Sequence, residues 1–188
     1  FVYEDLKREK TQIVYLVNNA GYGICGEYCE IPWESEYNMF NLNMISLAFL
    51  TKKIAGDMVI MGKGRILNIS SFAAFQPGPY MAAYCASKSF VLSYSEAISY
   101  ELKKKGVSVT CLCPGVTNTK FHDVAGSRNT NMLKAMLNAS AEDVAKYGYR
   151  IMMKGKSYGI YGFSNRLLII LEKFICRSLV IAITAKVL

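Results

Sequence analysis

The chain has 188 residues, 52% of them apolar and 19% charged, which suits one domain with a proper core and excludes a disordered chain. Its net charge is +8, yet no run of Lys and Arg reaches the length of a nucleic-acid patch, so nucleic acid is excluded as the expected partner. A single histidine, His122, leaves His-based catalysis and multi-His metal sites without support, and the six cysteines show no paired CxxC motifs at zinc spacing.

Residues 1–10 read as the tail of a helix. Ile13 to Val17 is a short continuous apolar run, the pattern of a parallel strand buried on both faces, and Asn18-Asn19-Ala20-Gly21 ends it. Pro32-Trp33-Glu34 opens a helix running to about Met61, stopped by Gly62 and Gly64. Arg65 to Ser71 is the next strand. After a loop holding Pro77, Gly78 and Pro79, a long helix runs from about Met81 to Lys105 and closes at Gly106, with Lys103 to Lys105 as its basic last turn. Val107 to Cys113 is a further strand, in which Cys111 and Cys113 share one face as small hydrophobes.

Beyond Pro114-Gly115 the pattern loosens. Residues 117–137, with polar Gly126 to Asn131 between two helical pieces, suit a lid over a substrate. Ser140 has the spacing of a helix N-cap followed by acids, that helix ends near Gly155, and Tyr158 to Tyr161 is the last strand. The alternation of strands with long helical crossovers predicts an α/β fold, a doubly wound parallel sheet of the Rossmann-like kind. Ligands in such sheets bind beyond the carboxyl ends of the strands, where NNAG, the Ser70-Ser71 pair and Pro114-Gly115 all fall.

The chemistry concentrates in Tyr84-Cys85-Ala86-Ser87-Lys88, with Ser71 thirteen positions before the tyrosine. Tyr84 and Lys88 are one helical turn apart on the same side, and a strand-end serine can face them across a cleft. They supply a proton donor or acceptor, a cation to tune it and a hydroxyl to hold a substrate oxygen. A free phenol titrates near ~10, so lowering it by ~3 units needs ~4 kcal/mol of differential stabilisation, which the Lys88 ammonium is expected to help provide.

The order NNAG, Asn43, Ile69-Ser70-Ser71, Tyr84-x-x-Ser87-Lys88, then Pro114-Gly115 with Thr117 and Thr119, resembles the short-chain dehydrogenase/reductase family over residues 13 to about 162. The resemblance implies an NAD(P)-dependent oxidoreductase interconverting an alcohol and a ketone or aldehyde. It makes Tyr84 the general acid/base, Lys88 its tuning cation and a holder of the nicotinamide ribose, and Ser71 the holder of the reacting oxygen. Asn43 becomes the proton relay, with Asn41 a competing position. Asn18, Ala20 and Gly21 would line the coenzyme, NAD or NADP, and Asn19 would brace the sheet. Pro114, Gly115, Thr117 and Thr119 would sit by the nicotinamide. Ser70 reads as a strand-end hydrogen-bonding residue and Cys85 as packing. Trp33 and Tyr22-Gly23 either shape the pocket or pack.

The family also opens with a strand, a TGxxxGxG loop and a helix, none of which is matched here. The first βαβ part is expected to be missing, on the order of 70–80 residues, and with it the residue that selects NAD or NADP. Two readings stay open: a fragment of a complete enzyme, or a short non-catalytic dehydrogenase-fold protein that acts as a binding or scaffold partner. Residues 1–162 are expected to form the dehydrogenase part and 163–188 an apolar helix, packed on the domain, on a homo-oligomeric partner or on a membrane surface. That helix and Met132 and Met136 point to an apolar or lipid-like alcohol or carbonyl substrate. A cytoplasmic location, with membrane association through 163–188 as its variant, completes the expectation.

Overall fold

Short apolar segments bounded by Gly, Asn and Pro pair here as parallel strands, and the longer periodic segments between them fold back as helices. A computed structural model describes residues 2–119, 121, 125–126 and 139–187. In chain order the elements are α1 (Val2–Arg8), β1 (Tyr15–Asn18), α2 (Trp33–Phe40), a π-helical segment (Asn41–Ser46), α3 (Leu47–Met61) and β2 (Gly64–Ile69). There follow α4 (Ala82–Lys103), β3 (Val107–Cys113), β4 (Thr117–Asn118), β5 (Ala139–Ser140), α5 (Ala141–Met153), β6 (Tyr158–Ile160), α6 (Phe163–Glu172) and α7 (Arg177–Val187).

The main sheet has the order β1-β2-β3-β6, with every pair parallel. Asn18 lies beside Asn68, and Asn68 beside Cys111, so the strands end along one edge. Helices cover both faces. Ile54 and Met58 of α3 pack on Ile66, Val107 and Val109. Val91 and Leu92 of α4 pack on Cys111 and Cys113, as expected of two small apolar thiols on one strand face. On the other face Val144, Ile151 and Met152 of α5 pack on Leu67 and Leu112. The fold is the doubly wound α/β class. All six cysteines are free.

Gly106 shows where a side chain is forbidden. Its φ is +80°, and a Cβ there would run into the carbonyl of Gly62, so the turns closing α3 and α4 touch through backbone alone. Ser140 caps α5 as expected, its Oγ accepting from the Asp143 N–H at 3.0 Å, with Glu142 and Asp143 in the first turn.

Four sequence expectations are corrected. β1 starts at Tyr15, not Ile13; among the described residues β2 is its one neighbour, and Tyr15 and Val17 are each 52% exposed. The helix from Pro32 to Met61 is interrupted by a π-helical segment centred on buried Asn43. β2 stops at Ile69, because the Ser71 hydroxyl turns back to accept from the Ala73 N–H and starts a 3-10 turn at Phe72–Ala74. Residues 163–187 form two helices rather than one. The lid expectation, with Met132 and Met136, and His122 fall on residues outside those described, apart from its ends in the parallel pair β4 and β5.

Thr110 of β3 is fully buried and its hydroxyl finds no hydrogen-bond partner among the described residues. Thr110→Val keeps the shape and removes an uncompensated polar atom. It is expected to raise stability by about 1 kcal/mol, read from the denaturation midpoint; a loss of stability would mean the hydroxyl is paired.

Candidate active site

The carboxyl edge of the sheet gathers four side chains from three separate stretches. α4 supplies Tyr84 and Lys88, both buried, from an inner face that mixes Val91 and Leu92 with the buried hydroxyls of Ser87, Ser95 and Ser99. The Lys88 ammonium donates to the Ile69 carbonyl at 3.1 Å, capping the end of β2. Ser70 Oγ donates to the Lys88 carbonyl at 2.7 Å. These two bonds fix α4 against β2 in one register and leave Ser71, the next residue, facing Tyr84. The Ser71 hydroxyl interacts with the Tyr84 phenol. The Lys88 Nζ lies 5.8 Å from the centre of the Tyr84 ring.

Asn43 arrives from the π-helical segment, where one extra residue per turn re-aims a side chain that a regular helix would place elsewhere. It is 1% exposed. Its amide nitrogen donates to the Tyr22 carbonyl at 2.9 Å and to Ser87 Oγ at 3.1 Å, and its Oδ1 accepts from the Tyr22 N–H at 3.2 Å. Asn43 thus clamps the loop after β1 onto α4. Asn41 is not part of these contacts. Gly21, in the clamped loop, allows close approach: a Cβ there would stand 2.9 Å from Asn43 Oδ1 and 3.3 Å from Lys88 Nζ.

Asn18 braces the sheet, donating to Thr51 Oγ1 at 2.9 Å and to Asn68 Oδ1 at 2.8 Å, while Asn68 donates to Ser95 Oγ at 2.9 Å. Asn19, expected to be the brace, is exposed together with Ala20. A parallel strand alternates its faces, and at this register the side chain aimed at Asn68 is that of Asn18. Pro114 accepts from the Phe72 N–H at 2.7 Å, tying that loop to the Ser71 turn, and Gly115 lies against Asn165 of α6. Thr117 Oγ1 donates to the Gly115 carbonyl at 2.9 Å, and Thr119 Oγ1 accepts from the Phe121 N–H at 3.2 Å.

Sequence reasoning missed Phe121 and Met81. The Phe121 ring lies 5.2 Å from that of Tyr84, and Met81 and Ala125 share its apolar cluster. Only the proximity in space marks them. Tyr22 and Gly23 line an open cleft of about 500 Å³ that also takes in Cys25, Ile31 and Ser35, whereas Trp33 is exposed and packs on Tyr37 and Phe40. Among the described residues no group of His, Cys, Asp and Glu could hold a metal ion.

Burial decides the electrostatics. It pushes the Tyr84 phenol up to about 12, against the opposing pull of Ser71. The expectation that the neighbouring ammonium makes this phenol acidic is therefore reversed in the chain taken alone. Burial also lowers Lys88 to about 8, partly offset by Cys111 and Cys113. At neutral pH the site holds a protonated phenol and a mostly charged, poorly solvated ammonium.

This fold and this edge define a Rossmann-like α/β protein with a Tyr–Lys–Ser centre. A family model described as short chain dehydrogenase matches residues 2–130, and the chain belongs to that family. Among curated relatives, it is 35% identical over 129 residues to a 2-dehydro-3-deoxy-D-gluconate 5-dehydrogenase of Bacillus subtilis, covering 67% of this chain and 51% of that protein. It is 31% identical over 148 residues to a 17-beta-hydroxysteroid dehydrogenase type 3 of Mus musculus, covering 76% and 48%. A solved short-chain dehydrogenase from Sphingobium yanoikuyae in complex with NADPH superposes with a TM-score of 0.78 at 25% identity, over 92% of this chain and 67% of that one. The chain spans about half the length of these two curated relatives.

The depressed Lys88 has a consequence for stability. Below pH 8 the folded chain carries a desolvated charge. Between about 8 and the ordinary 10.5 the unfolded chain holds a proton that the folded one has shed, so stability rises with pH. The raised phenol begins to oppose this rise above 10. Lys88→Met leaves the Ile69 carbonyl without its donor and is expected to lack the rise in stability between pH 8 and 10. Urea midpoints across that range measure it, and parallel profiles would refute it.

Proposed function

We propose that the protein is an NAD(P)-dependent oxidoreductase that interconverts an alcohol and a ketone or aldehyde. The observation that carries this reading is the convergence of buried Tyr84 and Lys88 with Ser71 at the carboxyl edge of a parallel sheet. A buried ammonium is costly to keep, and such a cost is common where chemistry needs it.

The residues present fit the nicotinamide end of a dinucleotide. Gly21 lets the backbone approach Asn43 and Lys88 closely, and Lys88 has further N–H donors for ribose hydroxyls. We assign Asn18, Ala20, Gly21, Tyr84, Lys88, Pro114, Gly115, Thr117 and Thr119 to the coenzyme. No glycine-rich loop in the sequence fits the pyrophosphate. When bound, the coenzyme supplies or accepts the hydride at the substrate carbon.

The chain's own residues handle the oxygen and its proton. In the direction of reduction, Tyr84, fully protonated at neutral pH, donates its phenolic proton to the oxygen as negative charge develops there. The Ser71 hydroxyl donates a hydrogen bond to the same oxygen. The Lys88 ammonium then stabilises the phenolate that remains. In oxidation the phenol must first lose its proton, which burial opposes, so the positive charges around it set the rate. Asn43 holds the Tyr22 loop in place, and its Oδ1 faces the gap by Lys88 through which a returning proton would pass.

The Phe121–Met81–Ala125 cluster around Tyr84 favours an apolar group on the substrate beside the reacting oxygen, whereas the cleft behind Tyr22 is mixed, with Glu27, Glu30 and Ser35 in its lining. The two dehydrogenases named above carry, in their names, a deoxygluconate and a hydroxysteroid; the steroid is the one that matches an apolar group beside Tyr84. A non-catalytic scaffold role rests only on the open edge of β1, where Tyr15 and Val17 are exposed.

Tyr84→Phe keeps the ring packing on Phe121 and removes the proton. In the full-length protein it is expected to lower kcat by roughly 10²–10⁴-fold while coenzyme affinity changes little. Steady-state kinetics with a panel of apolar alcohols and coenzyme titration by fluorescence measure the two quantities. Unchanged turnover would overturn the assignment.

A further inference from the structure

A helix on a domain surface normally turns its apolar stripe inward. In α6 the stripe points the other way. Phe163, Leu167, Ile170 and Leu171, with Phe174 just past the helix end, follow one another at the spacing of a single helical face, and all are exposed, from 45% at Leu167 to 84% at Phe174; Leu168 on the flank is 43% exposed. The side turned to the domain carries Ile169, buried, with Asn165 and Glu172 beside it. α7 is less one-sided, with Ile181 exposed on a different face from Leu179 and Ile183. Val180 and Thr184 are buried, while Leu179 and Ile183 face outward.

The polar rim of this surface has one sign. Exposed Lys173, Arg177 and Lys186 border it, with Arg166 on the flank of α6, held by Tyr147 and the Ile160 carbonyl. Glu172, the one carboxylate in residues 163–188, sits on the inner side. A symmetric contact with a second copy would bring these cations face to face. An anionic surface instead complements them. Among the described residues no helix is long and apolar enough to cross a membrane, and helices this short with Phe, Leu and Ile on one side lie in the interfacial plane.

We propose that α6 and α7 form a docking surface for an anionic phospholipid bilayer, with the outward residues Phe163, Leu167, Ile170 and Phe174 in the interface and Lys173 and Lys186 at the headgroups. α6 starts at the carboxyl end of β6, and its Asn165 lies against Gly115. Docking therefore brings the carboxyl edge of the sheet, with Tyr84 and Ser71, close to the bilayer, where an apolar substrate can pass without crossing bulk water. The docking itself does not depend on the catalytic reading.

Flotation of the full chain with phosphatidylcholine vesicles, with and without phosphatidylserine, tests it. The chain is expected to float with the phosphatidylserine vesicles only. Leu167→Glu with Ile170→Glu, both at exposed positions, should abolish flotation. Lys173→Gln with Lys186→Gln should weaken it on the order of 30-fold, about 2 kcal/mol for two basic residues near an anionic surface. Circular dichroism of each variant checks the fold. No flotation, equal flotation with both vesicles, an unaffected Leu167→Glu/Ile170→Glu variant, or a dimer that this variant dissolves would overturn the proposal.

Discussion

The site depends on the placement of one buried ammonium under the end of β2. Lys88 Nζ binds the Ile69 carbonyl, while Ser70 returns a bond to the Lys88 carbonyl. The first bond satisfies the carbonyl left over where β2 ends, and the second pairs the buried Ser70 hydroxyl with a carbonyl in the interior of α4, so losing either leaves a buried polar atom unpaired. Together they fix the rotation of α4 about its axis. Tyr84, one turn back on the same face, and Ser71, one residue past Ser70, then have no freedom to miss each other.

A second polar chain stands behind the first. Thr51, Asn18, Asn68 and Ser95 link α3, β1, β2 and α4 through side-chain hydrogen bonds inside the core. Apolar packing would tolerate small slips of one strand against the next, whereas an amide pair between strands tolerates none. Asn43 extends the same logic to the loop after β1, gripping both backbone groups of Tyr22. The π-helical segment is what turns Asn43 inward, an irregularity retained at the point where the site is built.

The cost of this design is electrostatic. Burial that excludes water from the site also raises the phenol and lowers the ammonium, so both titrate away from their most useful values. The surface tells a parallel story at larger scale: the outward apolar faces of α6 and α7 are unfavourable in water and make sense only against a partner.

The sequence by itself determined the α/β class, the strand and helix order, the cap at Ser140 and the grouping of Ser71, Tyr84 and Lys88. These are local matters, written in periodicity, capping residues and the one-turn spacing of a helix. Only the tertiary structure decided the rest. It gave the bracing to Asn18 instead of Asn19, ended β2 before Ser71 and brought Phe121 and Met81 to Tyr84. It also decided the sign of the Tyr84 shift, because solvent exclusion is a property of everything packed around a group. Residue spacing records which groups can meet along one element; how much water is left around them depends on elements far away in the chain.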